Sequence, residues 1–224
     1  TPSAFSFFDA TFGLNGAVLS IYRKEGNLYV STITGAYKYY YENLYDNERF
    51  EINSRKRFEK IEGINTLTWQ LVEINNKLYA ASLSGLFEIN GKRAKKVLGG
   101  QYNAIYQSSL NPEICFIGST EGLLLSNITT TGFDTIGYVS GLNYNIRSIS
   151  EDDDGTVWLG TNADGLFRLN FRGNYSTSTG FVNYNENNAF PEGFNWVDVY
   201  RKSFGTFFST QKGLFYYSPR RDVF

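Results

Sequence analysis

Histidine is missing from the 224 residues, cysteine occurs once, at Cys115, and proline four times. Without histidine there is no Ser-His-Asp triad and no Cys-His dyad. Zinc sites built from His and Cys are also excluded, because a structural zinc needs four ligands and a catalytic one three, drawn mainly from those types. No metal and no cofactor are therefore expected. A lone thiol closes no intramolecular disulfide, so the chain is not a disulfide-stapled scaffold. An excess of one charge is also lacking: 21 basic against 22 acidic residues leave a net charge of −1. A phosphate-tracking surface needs a basic stripe, so nucleic acid is not an expected partner. No run approaches the roughly 18 apolar residues of a membrane-crossing helix, and no direct membrane insertion is expected of this segment. The chain opens Thr1-Pro2-Ser3-Ala4-Phe5, without Met, a basic segment or an apolar stretch, and reads as processed or as an excised piece of something longer.

What is abundant points one way. There are 22 Gly, 17 Tyr, 19 Phe and 3 Trp. Aromatic side chains fit the half-buried surface of strands, and glycine at this density marks tight turns, so the composition reads all-β. With 42% apolar residues the chain can bury one large β domain or at most two small ones.

One unit recurs five times. It opens on Gly13-Leu14-Asn15, Gly63-Ile64-Asn65, Gly141-Leu142-Asn143 and Gly193-Phe194-Asn195, with a looser Gly100-Gln101-Tyr102-Asn103. It closes on Gly35-Ala36-Tyr37, Gly85-Leu86-Phe87, Gly122-Leu123-Leu124, Gly165-Leu166-Phe167 and Gly213-Leu214-Phe215. Opener and closer lie 22, 22, 22, 24 and 20 residues apart, counting the looser copy third, while the closers are spaced 50, 37, 43 and 48. Constant phase within the unit and variable spacing between units is what loop variation around one supersecondary element produces.

In the fourth copy Ile146 to Ser150, Thr156 to Thr161 and Leu166 to Asn170 alternate as strands, separated by turns at Asp152-Asp153-Asp154-Gly155 and Asn162-Ala163-Asp164-Gly165. The first copy reads Val18 to Arg23, Leu28 to Thr32 and Ala36 to Tyr40; the second reads Leu67 to Ile74, Leu78 to Ser82 and Leu86 to Ile89. Phe58 to Ile61, Lys95 to Leu98, Phe133 to Tyr138 and Phe181 to Tyr184 supply fourth strands from the linkers. The expected fold is an all-β propeller of about five four-stranded antiparallel blades, at residues 13–62, 63–99, 100–140, 141–192 and 193–224. A β-sandwich has strands as often but no reason to repeat one internal phase five times.

The run Ile146-Arg147-Ser148-Ile149-Ser150-Glu151-Asp152-Asp153-Asp154-Gly155-Thr156-Val157-Trp158-Leu159-Gly160-Thr161, continued through Gly165-Leu166-Phe167-Arg168-Leu169, resembles the two-component regulator propeller repeat. Its Trp-centred strand has degenerate counterparts at Leu28–Thr32, Leu78–Ser82, Cys115–Ser119 and Thr206–Thr210. The resemblance implies an extracytoplasmic sensor or recognition propeller of bacteria, mainly Bacteroidetes, at the periplasm or cell surface. Such propellers sit upstream of a histidine-kinase or DNA-binding module and recognise glycan fragments; similar repeats occur in surface propellers of secretion machinery. The family propellers have seven blades and this chain five copies. Either the strand-like residues 4–8 complete the last blade and close a five-bladed ring, or the copies belong to a larger propeller, whose parent protein would be the route to a homodimer.

In an up-and-down blade the segment entering the first strand and the turn between the second and third strands emerge on one face. That reasoning gathers Asn15, Asn65, Asn103, Asn145 and Asn195 at a channel mouth, with Tyr144, Arg147, Trp196 and Asp198 beside them. Amides offer donors and acceptors, and aromatic faces stack on sugar C–H surfaces, which suits a neutral oligosaccharide; each Asn also has a ready alternative as a turn residue. The first-strand polar positions Ser20, Gln70, Gln107, Ser148 and Asp198 supply one acid, whereas a glycosidase needs two carboxyl groups about 5–10 Å apart. A non-catalytic binding module is therefore expected, with a protein-binding scaffold as second reading and a glycoside hydrolase or lyase, drawing on the loop acids Glu121, Asp164 or Glu192, as third. The linker Tyr41 to Arg57 is the candidate partner surface for the scaffold. Asp152-Asp153-Asp154-Gly155 lacks the spacing of a calcium loop and reads as a turn. Cys115 reads as a buried core residue, and Trp158 and Phe207 as packing between blades.

Overall fold

The computed structural model describes residues 8, 10–46, 51–185, 196–203, 205–218, 220–221 and 223–224, with the side chains of 41–46 and 51–56 outside that description. The fold is all-β: apart from one 3-10 turn, Ala10–Phe12, the described elements are strands in five propeller-type antiparallel blades. The chain forms two compact units, Thr1–Gly99 and Gly100–Phe224.

In the first unit, blade one is β1 (Val18–Lys24), β2 (Asn27–Thr32), β3 (Gly35–Asp46) and β4 (Glu51–Lys60); blade two is β5 (Thr68–Ile74), β6 (Lys77–Ser82), β7 (Gly85–Asn90) and β8 (Arg93–Leu98). In the second unit, blade three is β9 (Tyr102–Gln107), β10 (Ile114–Ser119), β11 (Leu123–Thr129) and β12 (Gly132–Tyr138). Blade four is β13 (Ile146–Glu151), β14 (Thr156–Thr161), β15 (Leu166–Asn170) and β16 (Phe181–Tyr184). The last blade has three described strands, β17 (Asp198–Lys202), β18 (Gly205–Thr210) and β19 (Gly213–Tyr216). Of the expected closing strand, residues 4–7 lie outside the described residues, and Phe8 packs its ring edge-on against Tyr39 and Phe58 of blade one.

Two local devices produce the repeat. Each closing turn is tied by a hydroxyl: Thr32, Ser82, Ser119, Thr161 and Thr210 donate to the carbonyls of Gly35, Gly85, Gly122, Gly165 and Gly213. The same oxygens accept the backbone N–H of Thr34, Ser84, Glu121, Asp164 and Lys212. The closing glycine is needed for more than the turn. Gly35 has φ 140°, and a Cβ there would lie 2.5 Å from the carbonyl oxygen of Ile64 at the entry to blade two. Gly122 stands in the same relation to Leu142, at the entry to blade four.

The second device is a bulge. β1, β5, β9 and β13 each shift register one residue after their start, leaving Leu19, Trp69, Asn103 and Arg147 unpaired in the ladder. A bulge re-aims one side chain, and in the second unit it re-aims two of the candidate site residues.

Three expectations change. Tyr41 to Arg57 is not an irregular linker, because β3 and β4 pair from Tyr37↔Lys60 out to Asp46↔Glu51 as a long ribbon. Gly100 is not the opener of blade three. Counting back from the bulge, Leu98 is the counterpart of Leu14, Ile64 and Leu142; a Cβ on Gly85 would meet its carbonyl oxygen at 2.6 Å. The spacing of 22 from Gly100 to Gly122 is a coincidence of a longer first hairpin loop, 108–113, against the two-residue turns Glu25-Gly26 and Asn75-Asn76. Gln107 accordingly leaves the row of Ser20, Gln70, Ser148 and Asp198, and Ala104 takes its place opposite Gly118.

Blades pack through apolar rows. In the first unit Tyr29 and Ala36 of blade one cluster with Leu71, Ala80 and Phe87 of blade two. In the second, Phe116, Leu123 and Leu125 of blade three meet Ile149, Leu159 and Phe167 of blade four. Trp158 and Leu166 of blade four meet Val199 and Phe208 of blade five. Trp158 thus packs between blades as expected, and Phe207 has Tyr216 of its own sheet beside it. Cys115 is wholly buried, and that burial pushes its thiol pKa far up.

Candidate functional site

The second unit assembles a polar rim at the end of the strands where β13 begins and β14 finishes. Arg147, the bulge residue, donates from Nε to Asp198 Oδ1 at 2.7 Å and from Nη2 to Oδ2 at 3.5 Å. Its Nη1 donates to Asn162 Oδ1 at 2.9 Å. The guanidinium lies 5.5 Å from the centroid of the Trp196 ring, a cation–π contact. One blade back, Asn103 donates from Nδ2 to Asn145 Oδ1 at 2.7 Å and to the Ile146 carbonyl at 3.0 Å. A row of amides, an ion-paired carboxylate and one indole thus runs from blade three to blade five.

Of the nine candidates, five therefore join in two pairs and a stack: Asn103 with Asn145, and Arg147 with Asp198 and Trp196. Tyr144 goes elsewhere; its ring lies 4.5 Å from that of Phe167 and packs at the edge of the core. Asn15 and Asn65 are exposed and belong to the first unit, where the Asn15 carbonyl accepts Thr34 Oγ1. Asn195 lies outside the described residues. Ser20 and Ser148, read as channel positions, are occupied in joining blades: they accept the N–H of Leu71 and Val199 from the next first strand.

The sequence marks Asn162 only as a turn residue and marks no partners among the residues at the opposite strand ends. There Glu73 accepts Lys24 Nζ at 3.0 Å and Tyr22 OH at 3.3 Å. Glu151, 2% exposed, accepts both Ser108 and Ser109 hydroxyls and the Ser109 N–H. Arg201 reaches Asp153 at 2.6 Å and Asp152 at 3.5 Å; its bond to Asp153 raises its pKa. Asp152 also accepts Trp158 Nε1 at 2.8 Å and Thr206 Oγ1 at 2.5 Å. The Asp152–Gly155 turn is therefore both a hairpin and a clasp. The signal for these partners was the acid recurring at the sixth residue of the first strand in copies two and four.

A cleft of about 640 Å³ opens at this opposite end, lined by Asp152, Trp158, Arg168, Arg172, Phe181 and Tyr217 among others. Arg168 is engaged there, bonded to Tyr217 OH and stacked between the Trp158, Tyr184 and Tyr217 rings. This cleft and the polar rim thus lie at opposite strand ends. The rim presents amides and an indole, whereas the cleft walls are spent on holding blades together.

Residues 140–163, which include Asn145, Arg147 and Asn162, match the model of a family described as two component regulator propeller. No curated protein matches the chain. Among solved structures, the extracellular domain of a hybrid two-component system from B. thetaiotaomicron is similar with TM-score 0.69 and 19% identity, over 98% of this chain and 31% of that one. The extracellular domain of a one-component system from the same organism gives 0.63 and 15%, over 90% and 28%. PorZ, a surface component of the type-IX secretion system of Porphyromonas gingivalis, gives 0.58 and 12%, over 96% and 28%. The chain spans less than a third of the length of each of these three. The likeness is one of fold: a five-bladed β-propeller resembling the extracellular domains of such regulators.

Proposed function

We propose that the chain is a non-catalytic recognition propeller, periplasmic or on the cell surface, that binds a neutral oligosaccharide at the rim of its second unit. The observation that carries this is the Arg147–Asp198–Asn162 network under Trp196, beside Asn103–Asn145. It holds polar groups with lone pairs and N–H bonds directed along one edge and pairs its Asp198 carboxylate with Arg147. A glycosidase needs one carboxyl group as acid and a second as base or nucleophile; both oxygens of Asp198 are instead engaged by one arginine. Carried over from the fold, the output would be a signal passed on from the bound propeller.

Calorimetric titration with a panel of neutral oligosaccharides tests the reading. Binding that Arg147→Ala or Trp196→Ala weakens by about tenfold or more, roughly 1.4 kcal/mol, is expected. Absence of binding across the panel, or cleavage of any oligosaccharide in it, would refute it. The scaffold reading draws on the β3–β4 ribbon and on the likeness to PorZ, and predicts instead that a protein partner is lost when the ribbon is shortened.

A further inference from the structure

Besides the large cleft, the strand ends opposite the rim hold a second cavity of about 370 Å³ between blades three and four, within the size range of small-ligand sites. Its apolar lining is fixed in advance. Phe171 and Tyr175 stack with ring centroids 5.5 Å apart, and Phe116 lies against both. Leu110 lines the same cavity, 54% exposed in the long hairpin loop 108–113 of blade three. A Cβ on Gly155 would stand 3.1 Å from the Leu110 side chain, so the loop reaches across to the first turn of blade four. The bonds from Ser108 and Ser109 to the buried Glu151 hold it there. A surface ordered before the ligand arrives loses little entropy on binding.

Two opposite charges line this cavity and do not pair. Arg172 and Asp154 are both exposed, and among the described residues neither has an ion-pair partner, whereas Asp152 and Asp153 are held by Arg201. One oxygen of Asp154 accepts the Thr156 N–H at 2.9 Å, which leaves the other open. Arg172 stands where its residue type is disfavoured. It is the first residue of a two-residue turn closed by the Asn174 N–H on the Phe171 carbonyl, with φ 48° followed by 77° at Gly173, a place that favours Asn, Asp or Gly. Its backbone N–H is tied to Asn170 Oδ1 at 2.9 Å, while no described residue bonds its side chain. An arginine kept in such a turn, beside an unpaired carboxylate, suits a ligand that carries both charges.

We infer that this cavity is a binding site for a zwitterionic α-amino acid with a large apolar side chain, separate from the oligosaccharide rim. Arg172 takes the ligand carboxylate, Asp154 its ammonium group, and the apolar side chain lies against Phe171, Tyr175 and Leu110.

Calorimetric titration of the whole chain at pH 6 with L-phenylalanine tests it. Saturable binding is expected, at least tenfold tighter than that of N-acetyl-L-phenylalanine, which lacks the ammonium group, or of L-phenylalaninamide, which lacks the carboxylate. Arg172→Asn, which the turn accommodates, should weaken L-phenylalanine at least tenfold and leave the amide unchanged. Asp154→Asn, which keeps an acceptor for Thr156, should do the same and leave the N-acetyl compound unchanged. The series of three compounds needs no substitution and so reads the site whether or not a variant folds. Absence of L-phenylalanine binding, equal affinity for the three compounds, or binding that both variants leave intact would overturn the inference.

Discussion

Blades four and five are joined at both ends of their strands by a carboxylate and an arginine, and the two clasps run in opposite senses. At the rim the arginine belongs to blade four and the acid to blade five, Arg147 to Asp198; at the far end Asp152 and Asp153 of blade four hold Arg201 of blade five. Burial does not separate them: side-chain exposure is 33% and 18% for Arg147 and Asp198, against 23% and 27% for Arg201 and Asp152. What separates them is their surroundings. The lower clasp bonds the indole of Trp158, buried in the junction, while the upper one is framed by Asn162 and the partly exposed Trp196. Equal charge pairs therefore do unequal jobs, the lower holding blades and the upper presenting a surface.

The largest effect that would break this contrast is at the lower clasp. Trp158→Ala should cost about 3–5 kcal/mol, because it empties a fully packed site and removes one of the donors to Asp152; thermal unfolding would read it, and a loss under 1 kcal/mol would mean the junction is held otherwise. Glu151→Ala, which orphans the Ser109 N–H and two hydroxyls, should cost about 2–3 kcal/mol. Gly122→Ala should cost about 1–3 kcal/mol through its φ of 137° and the overlap with Leu142. Arg147→Ala should change stability by less than about 1 kcal/mol, since a part-exposed pair contributes little, whereas the proposed function expects it to weaken oligosaccharide binding about tenfold.

Two further outcomes concern titration. Burial pushes the Tyr102 phenol up to about 12, so the folded chain keeps a proton that the unfolded chain releases near pH 10. Stability from this source is complete below pH 10 and falls as pH rises toward 12, which denaturant midpoints across that range would show. Cys115, with its pKa raised by burial, should resist alkylation at pH 8 in the native protein and react on unfolding.

Much of the fold was legible in the chain. The strands Thr156–Thr161 and Leu166–Asn170 have the bounds their alternation implies, because in the fourth copy turn chemistry, period and closing glycine all agree. Blade three misled because its longer hairpin loop shifted a chance glycine into phase. The ribbon was missed because residues 41–57 lack a Gly or Pro to mark where strands stop. At the rim the residue types were legible but their partners were not. Arg147 and Asp198 are 51 residues apart, and only the bulge and the inter-blade register bring them together.

The contrast between the two clasps has a direct readout in the indole N–H signals of Trp158 and Trp196, resolved by ¹⁵N-labelled NMR during titration with a neutral oligosaccharide. The rim account predicts that the Trp196 signal shifts with ligand while the Trp158 signal stays in place. A moving Trp158 with Trp196 unchanged would put the ligand in the cleft at the opposite strand ends and contradict it.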